Sequence, residues 1–217
     1  MPGHTVRPYR EADAAALAEV FFRSVRQAAL ADYSPAQVRA WLQERPDPER
    51  MAARAADGRL VLVAEDPAGT VVAYVDLEAD GHIDHLYCLP EAVGRGVAST
   101  LYRRLEEEAT GRGLSELRVE ASEGARRLFL RHGFRTLERR LLRLHGVTLH
   151  NYAMAKRLIE PARGGDENPC DDGQRFSITR AQPGGDDAVD HGGVRCTRRD
   201  VGRDRAAGER LPPLRRE

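Results

Sequence analysis

Three apolar runs lead into the turn Gly94-Arg95-Gly96-Val97-Ala98, which reopens as an amphipathic helix, and that succession limits the chain to few folds. Beyond the turn Val97, Leu101, Leu105 and Ala109 recur every four residues, a continuous apolar stripe that Gly111 and Gly113 bring to an end. The runs before it are Leu60–Glu65, Val71–Glu78 and His82–Leu89. They are separated only by Asp66-Pro67-Ala68-Gly69 and Asp80-Gly81, too short for crossover helices, so these strands are antiparallel. A further strand, Ser115–Glu120, is reached through the helix and is expected to lie parallel to His82–Leu89.

The flanks complete the architecture. Thr5-Val6-Arg7 reads as a first strand, and Glu11 to Leu30 carries helical apolar spacing through Leu17, Val20, Phe21 and Val25. Ser34-Pro35-Ala36-Gln37 is a capping box, and Asp47-Pro48 repeats the start signal for a short helix. Ser122 caps a helix running to about Arg131, and the strands Arg135–Leu144 and Val147–Lys156 turn at His145-Gly146. The fold class is α/β, an α+β mixed sheet: an antiparallel meander, a central βαβ unit and a C-terminal hairpin.

Bulk properties remove several functions. With 34 basic and 34 acidic residues in 217 the formal charge is zero, so no overall field draws in nucleic acid. No apolar run approaches the about 18 residues of a membrane span, and the N-terminus lacks a signal-peptide core. Cys88, Cys170 and Cys196 are too few and too scattered for a disulfide framework, which makes a cytoplasmic location the expectation. Cys170, His191 and Cys196 lack paired ligand spacing, so no metal site is expected. Composition changes after Leu158 to a Gly-, Asp-, Arg- and Pro-rich segment; residues 1–158 read as the folded domain and 159–217 as a disordered tail.

A strand, close glycines and a helix N-terminus together make an anion-binding device, because first-turn amides have no helical partner and the macrodipole favours negative charge. A lone Gly-x-Gly is more often a plain tight turn. A Walker loop is excluded, since no Gly-Lys-Ser/Thr follows. A dinucleotide fingerprint matches two glycines, with Glu116 or Glu120 about 20 residues on, but it requires successive parallel βαβ units. The pyrophosphate of coenzyme A is the third reading.

Residues 82–134 resemble the GNAT superfamily of N-acetyltransferases. The stretch Leu86-Tyr87-Cys88-Leu89-Pro90-Glu91-Ala92-Val93-Gly94-Arg95-Gly96-Val97-Ala98 is similar to that family's acetyl-CoA motif, Gln/Arg-x-x-Gly-x-Gly/Ala after a strand and a proline. Gly96 and Ala98 match its last positions, whereas Val93 stands where the family has Gln or Arg. Ala125 to Phe134 resembles the family's helix ending in Gly-Phe, and Thr148 to Met154 the last strand of one bacterial branch. The likeness implies that the backbone of Leu86, Tyr87 and Cys88 pairs with the pantetheine arm. It implies too that Val93, Gly94, Arg95, Gly96, Val97 and Ala98 hold the pyrophosphate, and that splaying of the His82–Leu89 and Ser115–Glu120 strands makes the thioester slot.

The implied activity is acetyl transfer from acetyl-CoA, as cosubstrate, to an amino group of a small acceptor, by a monomer or homodimer. A CoA-binding regulatory module and, more distantly, a dinucleotide-binding oxidoreductase are the alternatives. Such a transfer needs a base for an amine that is protonated near neutrality. The resemblance puts that base early on the His82–Leu89 strand, at His82 or Asp84, with Glu78 and Glu120 in reserve. Strand alternation sets His82, Asp84, Leu86 and Cys88 on one face and Ile83, His85 and Tyr87 on the other. The family's usual acid, a tyrosine five residues before the Gly-Phe phenylalanine, is here Phe129, which leaves Ser122 and Tyr152 as donors near the cofactor. His85 reads as structural and Cys88 as a small buried hydrophobe. Tyr33, Trp41 and Phe22 are candidates for an acceptor wall.

Overall fold

The computed structural model describes residues 3–158. The tail from 159 to 217, with Cys170, His191 and Cys196, lies outside the described residues. Strand β1 (Thr5–Pro8) is followed by α1 (Ala14–Arg26), α2 (Pro35–Trp41) and α3 (Pro48–Ala55). Then come β2 (Leu60–Glu65), β3 (Val71–Leu77), β4 (His82–Ile83), β5 (Leu86–Cys88) and α4 (Val97–Gly111). The chain continues through β6 (Glu116–Ala121), α5 (Glu123–Arg131), β7 (Arg135–Leu144) and β8 (Val147–Arg157).

The start signals work as their chemistry requires. Ser34 Oγ accepts from Gln37 N at 3.3 Å while Gln37 Oε1 accepts from Ser34 N at 2.9 Å. Asp47 accepts from Glu49 N at 3.0 Å, and Ser122 from Ala125 N at 3.3 Å. The helix read over Glu11–Leu30 is shorter: one 3₁₀ turn precedes α1 and another, Ala28–Ala31, follows it.

The expected mixed sheet is present but divided. One sheet has the order β1-β2-β3-β5 and is antiparallel throughout; the other has the order β4-β6-β8-β7, with β4 and β6 parallel. The single strand read over His82–Leu89 is thus two short ones belonging to different sheets. All seven residues of β3 are buried. Coverage on both sides explains that: α1 and α4 both pack on β3, and α3 packs on α1. The core joins Leu17, Val20, Phe21 and Val25 of α1 to Leu101, Tyr102 and Leu105 of α4 across the strands.

Candidate active site

The division of the sheet has a visible cause. Glu78 N donates to His82 O at 2.8 Å, and Asp76 N donates to His85 O at 3.0 Å. Two steps along β3 therefore face three along its neighbour, so Ile83 and Asp84 together oppose Leu77 as a β-bulge. Past the bulge the chain leaves β6, so of this segment only His82 and Ile83 pair with β6. Leu89 N donates to Val72 O at 2.8 Å. With His85 and Leu89 bonded to β3, alternation makes Tyr87 the next partner and turns the amides and carbonyls of Leu86 and Cys88 to the unpaired edge. A wedge with one free strand edge results.

The bulge also corrects the face assignment. Cross-strand partners share a face, so His82 joins Glu78, and His85 joins Asp76, on one side of the sheet. His82 therefore lies on the same face as His85 and Tyr87, not opposite them, because the extra residue shifts the alternation by one. His85, 5 % exposed, shares a 2.9 Å hydrogen bond through Nδ1 with the Tyr74 hydroxyl and packs on Phe21 and Tyr87. Burial lowers its pKa to about 4, leaving a neutral packing residue.

His82 and Glu120 come together from β4 and β6. His82 Nε2 donates to Glu120 Oε2 at 2.6 Å, and Glu78 Oε2 lies 3.5 Å from Nδ1. The hydrogen bond to Glu120 raises the His82 pKa above its ordinary 6.5 and lowers that of Glu120. Arg140 of β7 holds the other Glu120 oxygen at 3.1 Å. Asp84 is differently placed. It is ion-paired with Arg54, within a network in which Arg54 Nε and Arg59 Nη1 reach Asp76 Oδ2 at 3.0 and 3.3 Å. Burial works against ionisation of Asp84, yet the charge and hydrogen bond of the Arg54 guanidinium hold it below the usual carboxylate range. Asp76, 1 % exposed, also accepts from His85 N at 3.0 Å and so braces the bulge. An aspartate alone in the apolar run Val71–Leu77 was the available signal for a buried, paired carboxylate.

At the open end of the wedge β5 passes through the 3₁₀ turn Pro90–Ala92, tied to α1 by Arg23 on Glu91 at 2.9 and 3.0 Å, and enters the glycine turn. Gly96 caps α4 in the left-handed region with φ +83°, without a side-chain cap and with no acidic residue in the first turn. A Cβ built on Gly94 or Gly96 meets nothing within 4 Å, so the space over the turn is open. The uncapped amides of Val97 and Ala98, the open space above the glycines and the free edge of Leu86 and Cys88 fit a pyrophosphate with an extended arm. Val93 presents an exposed side chain beside this cradle. Cys88 is buried, and burial pushes its thiol up to about 12.

Phe129 is wholly buried among Tyr102 and Phe134. Of the donors considered, Ser122 uses its oxygen to cap α5 and the Tyr152 hydroxyl donates to Glu123 Oε2 at 2.6 Å. A small cleft of about 40 Å³ opens where β6, β8 and α2 meet, lined by Tyr33, Trp41, Glu120, Ser122, Leu149 and Asn151, with His150 beside them. Tyr33 and Trp41 are thus together, ring centroids 5.6 Å apart. Phe22 is elsewhere, its ring under the guanidiniums of Arg26 and Arg45. Leu149 and Asn151 were missed because nothing in the sequence shows which face of β8 meets α2. Among the described residues no helix is long and apolar enough to cross a membrane, and no acidic, histidine and cysteine groups converge as metal ligands.

A family model described as an acetyltransferase (GNAT) domain matches residues 29–156. The uncharacterized N-acetyltransferase YafP of Escherichia coli K12 is 31 % identical over 151 residues, 69 % of this chain and 93 % of YafP. The crystal structure of a GCN5-related N-acetyltransferase (aminotransferase, class-II) from Rhodopseudomonas palustris superimposes with a TM-score of 0.66 at 37 % identity. It covers 73 % of this chain and 98 % of its own. The yncA acetyltransferase of Salmonella typhimurium, solved with its cofactor acetyl-CoA, has a TM-score of 0.59 at 24 % identity, covering 76 % and 99 %.

Proposed function

The chain belongs to the GNAT acetyltransferase family, and we propose that it uses acetyl-CoA to acetylate the amino group of a small acceptor, with His82 as the base. The wedge carries this reading: a free strand edge at Leu86 and Cys88 runs from the His82–Glu120 pair towards an uncapped helix N-terminus at Gly96. That the yncA structure holds acetyl-CoA supports the same cosubstrate here. The amides of Gly94 to Ala98 hold the pyrophosphate, and the Leu86 and Cys88 backbone aligns the pantetheine arm. Bound acetyl-CoA supplies an activated acetyl thioester.

The protein's own task is proton handling. An alkyl ammonium cannot attack, so neutral His82 removes its proton, and the Glu120 carboxylate stabilises the imidazolium that results. Asp84 is engaged with Arg54 and serves the bulge. Phe129 offers no proton, so the leaving thiolate departs without help from that position; a free thiol titrates at about 8.5, which makes this tolerable.

Calorimetric titration with acetyl-CoA, followed by thiol release across a panel of primary amines, tests the reading. Saturable binding and amine-dependent release are expected; absence of release with every amine overturns it. Gly96→Ala tests the cradle. Its Cβ meets no protein atom, so only the φ strain of about 1–2 kcal/mol enters stability. The methyl occupies the space over the turn, and acetyl-CoA affinity is expected to fall tenfold or more. Unchanged affinity would place the pyrophosphate elsewhere.

A further inference from the structure

We propose that Arg54 of α3 is a positioning residue: its guanidinium holds the extra residue of the bulge in place and so aims His82 at Glu120. This deepens the acetyl-transfer reading, on which it rests, by naming what orients the base. Arg54 Nε and Nη2 lie 3.0 and 2.9 Å from Asp76 Oδ2, and Nη2 also donates to Asp84 Oδ2. One guanidinium thus joins a carboxylate of β3 to one inside the bulge. Asp76 has other partners, since Arg59 Nη1 reaches Oδ2 at 3.3 Å and the His85 amide donates to Oδ1 at 3.0 Å. For Asp84 the next cation, Arg59 Nη1, is 3.7 Å away, beyond hydrogen-bond reach. Among the described residues, Arg54 alone hydrogen-bonds the Asp84 side chain.

A planar guanidinium serves two acceptors from fixed directions and cancels the repulsion between their charges. Without it Asp84 is driven away from the buried Asp76 carboxylate, and the bulge loses its anchor. Asp84→Asn keeps an oxygen for the guanidinium, so it does not undo the bulge. A bulge that relaxes into regular pairing shifts the alternation by one residue, which turns His82 to the opposite face, away from Glu120. The charged groups around His82 are Glu120 and Arg118 of β6, Glu78 of β3 and Asp84 of its own segment. Arg140 holds Glu120 at 3.1 Å, Arg59 holds Glu78 at 3.2 Å, and Asp80 holds Arg118 at 2.9 Å. Loss of a nearby cation, by itself, favours the imidazolium and raises the His82 pKa. Loss of the Glu120 hydrogen bond, the largest cause of its present elevation, lowers it. The two consequences have opposite signs, so the direction of the change separates aim from charge.

Proton NMR of the full chain follows the His82 ring through a pH titration, its signal assigned by its absence in His82→Ala. The wild-type ring should titrate above 6.5. In Arg54→Gln the midpoint should fall towards the 6.5 of a free histidine. Arg50→Gln, which removes an exposed cation from the same helix, should leave it unchanged. Arg54→Lys, a point charge without the fork, should shift it in the same direction by less. A midpoint in Arg54→Gln that rises, stays at the wild-type value or is matched by Arg50→Gln overturns the proposal. If Arg54→Gln does not fold, an unshifted or raised midpoint in Arg54→Lys does so. Thiol release from acetyl-CoA across a panel of primary amines, read on the same samples, should fall about 10²-fold in Arg54→Gln. A lowered midpoint with undiminished release would keep the role of Arg54 and remove His82 as the base, so the two readings fail separately.

Discussion

Gly81→Ala should lower stability by roughly 3–5 kcal/mol, the sum of backbone strain and an overlap that cannot relax cheaply. Gly81 sits at φ +88°, in the turn between β3 and β4. A Cβ there would stand 2.3 Å from Glu116 O, a backbone atom of β6. Moving Glu116 away also pulls on the Arg118 N to Gly81 O bond of 2.9 Å, which begins the parallel pairing of β4 with β6. For a domain of this size the loss corresponds to a fall in Tm of roughly 10 °C. Gly69→Ala is the control: its φ is +81°, but its Cβ meets nothing within 4 Å, so it should lose only about 1–2 kcal/mol. Equal losses in thermal melts of the two variants would show that the approach of β6 to Gly81 is not what makes this glycine necessary.

That contrast marks what could be read from the sequence. Asp80-Gly81 announces a turn, since the dipeptide is suited to positive φ, and the same local chemistry revealed the caps at Ser34, Asp47 and Ser122. Elements whose signal lies within a few residues were legible: the α4 stripe, the glycine turn, and the hairpin at His145-Gly146. The bulge at Ile83-Asp84 was not, because nothing in His82–Leu89 marks an extra residue. It arises where Asp76, from another strand, takes the His85 amide. One shifted residue then moved His82 to the face of His85 and cut a single predicted strand into β4 and β5. The partners followed the same rule. That Asp84 is bound by Arg54, and His82 by Glu120, depends on α3 and β6 arriving from 30 and 38 residues away in sequence. Patterning within a strand carries no information about such arrivals. Phe129 was legible as a departure from the family tyrosine, and its enclosure by Tyr102 and Phe134 fits a ring without a polar end.

His82→Ala should lower kcat by about 10²–10⁴-fold, the usual contribution of a positioned base, with acetyl-CoA binding unchanged. The pH dependence distinguishes this role from a structural one. The Glu120 hydrogen bond raises the His82 pKa above 6.5, so the imidazole holds its proton to higher pH than a free histidine. A base works only when neutral. The rate is therefore expected to rise with pH along a limb centred above 6.5. Glu120 is held below the ordinary 4.5 by the same bond and stays ionised throughout that range. Glu120→Gln removes the charge that retains the proton, so the limb should move to lower pH. The plateau rate should fall as well, because the imidazolium formed in the reaction loses its counter-charge. Asp84→Asn supplies the contrast. Its carboxylate is already bound by Arg54, and the variant should keep kcat within about threefold and leave the limb in place, since a group outside proton transfer contributes little. A limb that stays put in Glu120→Gln would remove His82 as the titrating base, and a rate lost in Asp84→Asn but retained in His82→Ala would transfer the role to Asp84.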